Sequence, residues 1–327
     1  MRNISIKHLT GAALLLGIAC QSTLTGNEGN FQFSYDADDW ITDFNKPIAV
    51  GAYLDITVRE VGTFGAVDLT LAEYDDPNVL TVDSFGGNLI TVQGTGEGLA
   101  LLQVEGTTNS GEALTDSVNM QAKVPEVMVL WHSCGGSEDG YYLTDQRVWV
   151  PFEMQMSNSQ PVIGYGYYPI ALDGEAAALD SDDSNQQWMA FDTAATAGVL
   201  ALSSEIDDTT LTMNVAAPGD IDGVQDPIAS VAEDIDVGDI NAFYVRPMVG
   251  DLPVCQAEVE KTVTSLTPTI CTVTDSDPEE DTGEGQHEYG WFTVEGVAEG
   301  TCQYEVTYPD ANGGEGVTDL FEFTIEP

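Results

Sequence analysis

The sequence predicts an all-β chain of antiparallel β-sandwiches. A block of residues recurs towards the two ends of the chain, apolar residues alternate over short runs divided by turns, and long amphipathic helical patterns are missing. Pro77-Asn-Val-Leu-Thr-Val82 aligns with Pro268-Thr-Ile-Cys-Thr-Val273, 191 residues later (77 to 268). Ile90-Thr-Val-Gln-Gly94, then Glu97-Gly98, aligns with Phe292-Thr-Val-Glu-Gly296, then Glu299-Gly300, 202 residues later (90 to 292). The difference of 11 falls in the acidic stretch Asp275–Glu288, as an insertion in a loop should. Downstream, Val104 matches Val306, Gly111 matches Gly313, and Val118-Asn-Met120 matches Leu320-Phe-Glu322.

Residues 1–19 read as a signal peptide. Arg2 and Lys7 form a positive start, and the apolar run Leu9–Ala19 is too short to span a bilayer. The run ends Gly17-Ile18-Ala19-Cys20, which resembles the signal of bacterial lipoproteins, where the cysteine becomes the lipidated N-terminus. Gly17 departs from the Leu usual in that family, and Gly17 with Ala19 also suits ordinary signal peptidase; both cut the same bond. Cysteine parity agrees with a lipid on Cys20, since removing it from five leaves four, enough for two disulfides. Gln21, where retained lipoproteins often carry Asp, implies the outer membrane by the same resemblance. Residues 20–30 read as a polar tether, and nothing after residue 20 reads as a second membrane span.

The repeated blocks place sandwiches at 31–124 and 249–327. Val79 and Thr81 alternate with Leu80 and Val82, and Leu99–Val104 and Cys302–Val306 follow Gly-rich turns. These blocks resemble bacterial immunoglobulin-like (group 2-type) domains of surface proteins, over roughly 46–124 and 249–327. The later copy has the form Thr-Pro-x-x-Cys-Thr-Val, then Gly-x-x-x-Gly-Thr-Cys, of the tandem Cys-bearing modules. That resemblance implies fold and says little about function.

The stretch between them, 125–248, reads as a divergent β-sandwich domain. Val148, Val150, Phe152, Met154 and Met156 share one face of a strand, with Arg147, Trp149 and Glu153 on the other, so Trp149 is expected to be exposed. Ser203–Thr209 reads as a hairpin loop, and a last strand is expected at Ile240–Val245.

Charge narrows the function. The 55 Asp+Glu against 8 Lys+Arg give −47, and without Arg2 and Lys7 the mature chain carries −49. Such a field repels phosphate backbones, which excludes nucleic-acid binding. Its plain reading is solubility in high salt; the sharper one is bound divalent cations. With 43% hydrophobic residues the chain has enough apolar surface for packed cores.

Candidate sites follow from chemistry. Asp220 and Asp222, and Asp275 and Asp277, could offer oxygen ligands to Ca²⁺, though neither pair has the spacing of a helical calcium loop. Trp149, Tyr165 and Tyr167 could stack on sugar rings, as aromatics on a sheet face do, or simply pack. His132 and Cys134 share a strand face, which suits a nucleophile and its base, but an exported Cys is more simply half of a disulfide. No hydrolase or nucleotide-loop signature occurs, and His is limited to His8, His132 and His287.

Four cysteines allow three pairings. Cys271 stands where the first copy has Leu80, and Cys302 where it has Ala100, a large–small inward pair that a buried disulfide could replace. The resemblance to Cys-bearing modules implies the same pair, which leaves Cys134 with Cys255. The competing map joins Cys255 to Cys302 and Cys134 to Cys271.

The expected protein is an exported, lipid-anchored cell-surface protein of the envelope, at the outer membrane, with a structural, display or adhesion role and no catalysis. It needs no cofactor, with Ca²⁺ the one candidate. Its partners are the membrane, through the lipid, and envelope polysaccharide or surface proteins. The rivals are a glycan- or Ca²⁺-binding surface module and a secreted enzyme with its site in the middle domain.

Overall fold

The computed structural model describes residues 24–35, 46–134, 140–174, 176–229, 235–275, 290–309 and 316–327, with backbone alone at 176–178 and 229. Cys20, Asp277 and His287 lie outside them. No described helix is long and apolar enough to cross a membrane. The chain forms two compact units: the described residues up to Val127 with Met154–Tyr167, and Met128–Glu153 with Tyr168–Pro327.

One eight-strand plan appears three times. In the first sandwich the strands are β1 (Phe31–Tyr35), β2 (Ile48–Ala49), β3 (Tyr53–Glu60), β4 (Val67–Tyr74), β5 (Leu80–Gly86), β6 (Leu89–Gly94), β7 (Gly98–Thr108) and β8 (Ala113–Lys123). One sheet has the order β1-β3-β6-β5, with the short strand Leu24–Thr25 outside β1, and the other β2-β8-β7-β4. Alternation builds these strands: Leu54, Ile56 and Val58 of β3 are buried while their neighbours are not, and they meet Leu102, Val104 and Met120 in one core.

The middle sandwich consists of β9 (Val127–Leu130), β10 (Tyr141–Leu143), β11 (Arg147–Gln155), β12 (Ile170–Gly174), β13 (Ala176–Asp180), β14 (Trp188–Thr193), β15 (Gly198–Ser204) and β16 (Thr210–Ala216). Its sheets run β9-β11-β14-β13 and β10-β16-β15-β12. The third consists of β17 (Ile228–Ala229), β18 (Ile235–Asp236), β19 (Ile240–Tyr244), β20 (Thr262–Ser265), β21 (Cys271–Asp275), β22 (Trp291–Gly296), β23 (Gly300–Tyr308) and β24 (Val317–Glu326), with sheets β17-β19-β22-β21 and β18-β24-β23-β20. In all three, the second strand pairs in parallel with the eighth. Strands 1, 3, 6 and 5 against 4, 7 and 8 are the two sheets of the immunoglobulin plan, so the chain is a tandem array of immunoglobulin-like sandwiches.

The sheets correct the expected organisation at one joint. A middle domain reaching residue 248 would own the strand at Ile240–Val245, yet β19 pairs with β22 along its whole length, Phe243 facing Phe292. The strand therefore belongs to the third sandwich, and the middle one makes its last strand at Ala216. The reason is a long connection between β19 and β20. In the first sandwich the equivalent strands end at Glu60 and resume at Val67; here they end at Tyr244 and resume at Thr262, with Pro247–Val249 and Leu252–Pro253 inserted. That insertion hid the first three strands from the repeat.

Register completes the alignment. Ile48 and Ile235 occupy equivalent places, as do Ala72 and Val263, and Ile90 and Phe292. Val104 faces Asp116 and Val306 faces Asp319, so the last strands are offset by 203 (116 to 319), one more than the strands before them. Val118 thus corresponds to Phe321 rather than to Leu320, because the final hairpin is one residue longer.

The third core extends beyond its own strands. Leu143, Ala216 and Ile221 pack in one buried cluster with Val254, Phe292, Tyr304 and Ile325, inside the second unit. Phe243, Phe292, Tyr304 and Phe323 pack ring to ring there, with centroids 5.5–5.8 Å apart.

Candidate functional site

The cysteines are joined Cys271 to Cys302 and Cys134 to Cys255, with Cα atoms 5.5 and 5.1 Å apart. Cys271 and Cys302 are fully buried, and their counterparts Leu80 and Ala100 are core residues of the first sandwich. Cys134–Cys255 ties the segment before β10 to the inserted connection of the third sandwich, and both residues are buried. Cys134 is therefore no free thiol, and no nucleophile–base pair with His132 exists. Gly140 lies against this bridge: a Cβ there would collide with both sulfurs and stand 3.0 Å from the Pro253 carbonyl oxygen. Gly140→Ala should cost about 1–3 kcal/mol through overpacking. Chemical denaturation of the second unit checks it, and an unchanged midpoint would refute the contact.

The acidic candidates among the described residues, Asp220, Asp222 and Asp275, are engaged with the chain itself. The Asp220 carboxylate accepts the Ala217 N–H at 2.9 Å, and that of Asp222 accepts the Gly250 N–H at 2.7 Å. Asp275 is ion-paired with Lys261, a residue only 8% exposed, whose ammonium also donates to the Trp291 carbonyl at 2.8 Å. Burial pulls the Lys261 pKa down, and Asp275 opposes that pull. In the middle sandwich the Arg147 guanidinium reaches Asp180, Asp183 and Asp192 at 2.8–2.9 Å. The Asp180 carboxyl is held below its usual range, chiefly by its hydrogen bond from Arg147. Arg147 and Lys261, two of the few cations of this acidic chain, thus serve its fold. Among the described residues no three His, Cys, Asp or Glu side chains gather as metal ligands.

The aromatic candidates divide between the units. Tyr165 and Tyr167 belong to the first. The Tyr165 ring centroid lies 6.1 Å from that of Tyr53, and its hydroxyl donates to Asp55 at 3.2 Å. Burial, then the Asp55 charge, pushes the Tyr165 hydroxyl up to about 12. Tyr167 lies over Gly51, where a Cβ would come within 2.9 Å of its ring. Trp149 belongs to the second unit and is half-buried rather than exposed, and the Gln256 side chain bonds both its backbone N–H and its carbonyl at 2.8 Å. Trp149 thus stands on β11, whereas Tyr165 and Tyr167 lie in the connection after it.

A residue that the sequence reasoning missed is Asp116, 3% exposed on β8. Its carboxylate accepts four backbone N–H groups, from Glu28, Asn30, Phe31 and Ser117, at 2.7–2.9 Å. Burial alone would raise this carboxyl; hydrogen bonds from Glu28, Phe31 and Ser117 outweigh it and hold the group below the ordinary aspartate range. The bonds fasten the strand-entry segment to the last strand. Its counterpart Asp319 accepts the Val224 N–H at 2.9 Å, so the clamp recurs. The available signal was Thr115-Asp116 repeated as Thr318-Asp319. The cavity beside Asp116 measures about 220 Å³ and is lined by Glu28, Glu105 and Ser117. That is below the roughly 300 Å³ at which small-molecule sites begin.

No family model matches the chain, and no curated protein does. Among solved structures it is similar to domains 4–9 of the surface layer protein SbsC, at 14% identity and a TM-score of 0.27, over 90% of this chain and 47% of that one. It is similar to the Escherichia coli adhesin FdeC, at 13% and 0.27, over 86% of this chain and 95% of that one. It is similar to invasin, a bacterial integrin-binding protein, at 13% and 0.24, over 91% and 60%. The chain thus spans about half the length of the SbsC fragment. At these identities and scores, the fold assignment rests on this chain's own sheet order.

Proposed function

We propose that the chain is an exported, lipid-anchored cell-surface protein whose work is structural, in display or adhesion, without chemistry of its own. The observation that carries this reading is the threefold repetition of one sandwich plan, stapled by two buried disulfides. Repeated sandwiches supply folded surface for contacts, and disulfides suit an oxidising, extracytoplasmic space. The side chains that could have done chemistry are used by the fold: Cys134 in a bridge, Asp275 on Lys261, Asp180 on Arg147.

Cys20 is the proposed point of attachment, with its lipid supplying the membrane affinity. A Cys20→Ser chain should leave the membrane fraction and appear soluble, while the wild-type chain stays with membranes and is degraded by protease added to intact cells. Identical partitioning of the two would rule out the anchor. Protection from external protease until the cells are broken would rule out the surface location.

A further inference from the structure

Twice in this chain, the connection between the third and fourth strands of one sandwich lies along the second strand of the sandwich before it in sequence. Within the first unit, Ile163, in the connection after β11, bridges Ile48 in parallel. The Ala49 N–H donates to the Ile163 carbonyl at 2.8 Å, and Tyr53 and Tyr165 exchange backbone bonds of 2.8 and 2.9 Å. Within the second unit, Val254, in the connection after β19, bridges Tyr141 in parallel. The Cys255 N–H donates to the Tyr141 carbonyl at 2.7 Å. The two joints use equivalent elements.

One receiving turn and one inserting connection are left over. The turn is Ile235–Ile240, which matches Ile48–Tyr53 residue for residue, with Gly51 at φ +100° and Gly238 at φ +94°. It keeps the same internal bonds: Val50 to Lys123 and Val237 to Glu326, Gly51 to Gly94 and Gly238 to Gly296. Yet Val50 and Tyr53 are half-buried, whereas Val237 is 45% and Ile240 66% exposed. Among the described residues no connection of another sandwich bridges this turn. The spare connection is 61–66 of the first sandwich. Its counterparts bury Val162, Ile163, Val254 and Cys255, while it exposes Phe64 at 62%. Phe64 also holds φ at +56°, a left-handed backbone unfavourable for a bulky side chain. Charges match as well: Arg59, exposed beside this connection, has no ion pair among the described residues, and the receiving turn itself carries exposed Asp236 and Asp239.

We propose that the Ile235–Ile240 turn of one copy receives the 61–66 connection of a second copy, so that the chain associates head to tail through a third joint of the kind it already contains twice. Such an interface is heterologous, so a pair of joined copies still presents one free turn and one free connection, and association continues beyond the dimer. The formal charge of −47 opposes the approach of like copies, so association should strengthen as salt shortens the screening length below about 10 Å.

Sedimentation velocity on the full chain carrying Cys20→Ser, so that no lipid contributes, tests the proposal. The average mass should rise with protein and salt concentration. Phe64→Asp and Ile240→Asp should each be monomeric, since every contact needs one intact turn and one intact connection. Mixed together, they should form a one-to-one dimer and nothing larger, because Ile240→Asp keeps the connection and Phe64→Asp keeps the turn. Phe64→Gly relieves the backbone and should melt no lower than wild type, yet remain monomeric, which separates lost contact from lost folding. A wild-type chain that stays monomeric throughout would overturn the proposal. So would a single variant that associates like wild type, or a mixture that fails to dimerise when wild type associates.

Discussion

Replacing Asp116 with alanine should lower the stability of the first sandwich by roughly 3–5 kcal/mol, the range for removing one partner of a buried charged network. Four backbone N–H groups lose their acceptor at once, and an unsatisfied buried donor costs about 1–3 kcal/mol. The cost falls on one element, since the released groups belong to Glu28, Asn30, Phe31 and Ser117. The N-terminal strand β1 should therefore lose amide protection before the rest of the core does. The same clamp sets a pH dependence. The carboxyl pKa is lowered on folding, so its contribution is fully present above the unfolded value of about 3.9 and is lost as pH falls through the folded one. Acid titration of the wild-type chain should thus destabilise the first unit below about pH 4, and Asp116→Asn should flatten that part of the profile. Asp319→Ala, which frees the single donor of Val224, should cost less. Equal losses at the two positions, or an unchanged acid limb in Asp116→Asn, would show that the clamp does not carry this load.

Removing the Cys134–Cys255 bridge should have the other large effect. It joins residues 121 apart, and chain entropy for a loop of that size gives about 4–5 kcal/mol at most. Inside the second unit it holds the inserted connection beside β10, where Leu143 and Ala216 enter the core of the third sandwich. The double variant Cys134→Ala, Cys255→Ala should therefore melt the second unit earlier and leave the first unit's transition in place. Calorimetry under non-reducing conditions resolves the two. A shift confined to the first unit, or none at all, would contradict this arrangement.

Much of the fold was legible because its signal is local. Alternation in Arg147–Gln155 and the hairpin either side of Ser203–Thr209 are set by the side-chain period of a strand, which a sequence displays directly. The repeat extended that reading across the chain, and the two positions it compared, Leu80 with Cys271 and Ala100 with Cys302, are buried in both sandwiches. What escaped was set by insertions. The long connection after β19 separated the first three strands of the third sandwich from the repeat, and one extra residue in the last hairpin moved the alignment off Asp116 and Asp319.

By itself, then, the sequence determined the all-β class of the chain, its acidic balance and the faces of its strands. Only the tertiary structure decided which sandwich owns Ile240–Tyr244, since strand ownership is a matter of hydrogen-bonded register between segments far apart in the chain. It also decided that Trp149 is half-covered, that Asp275 answers Lys261, and that Asp116 holds the entry segment. Each of these is a pairing of groups remote in sequence. A run of residues records what each position prefers, but a partner is fixed only when the folded chain brings the two together and excludes the water that would otherwise serve both.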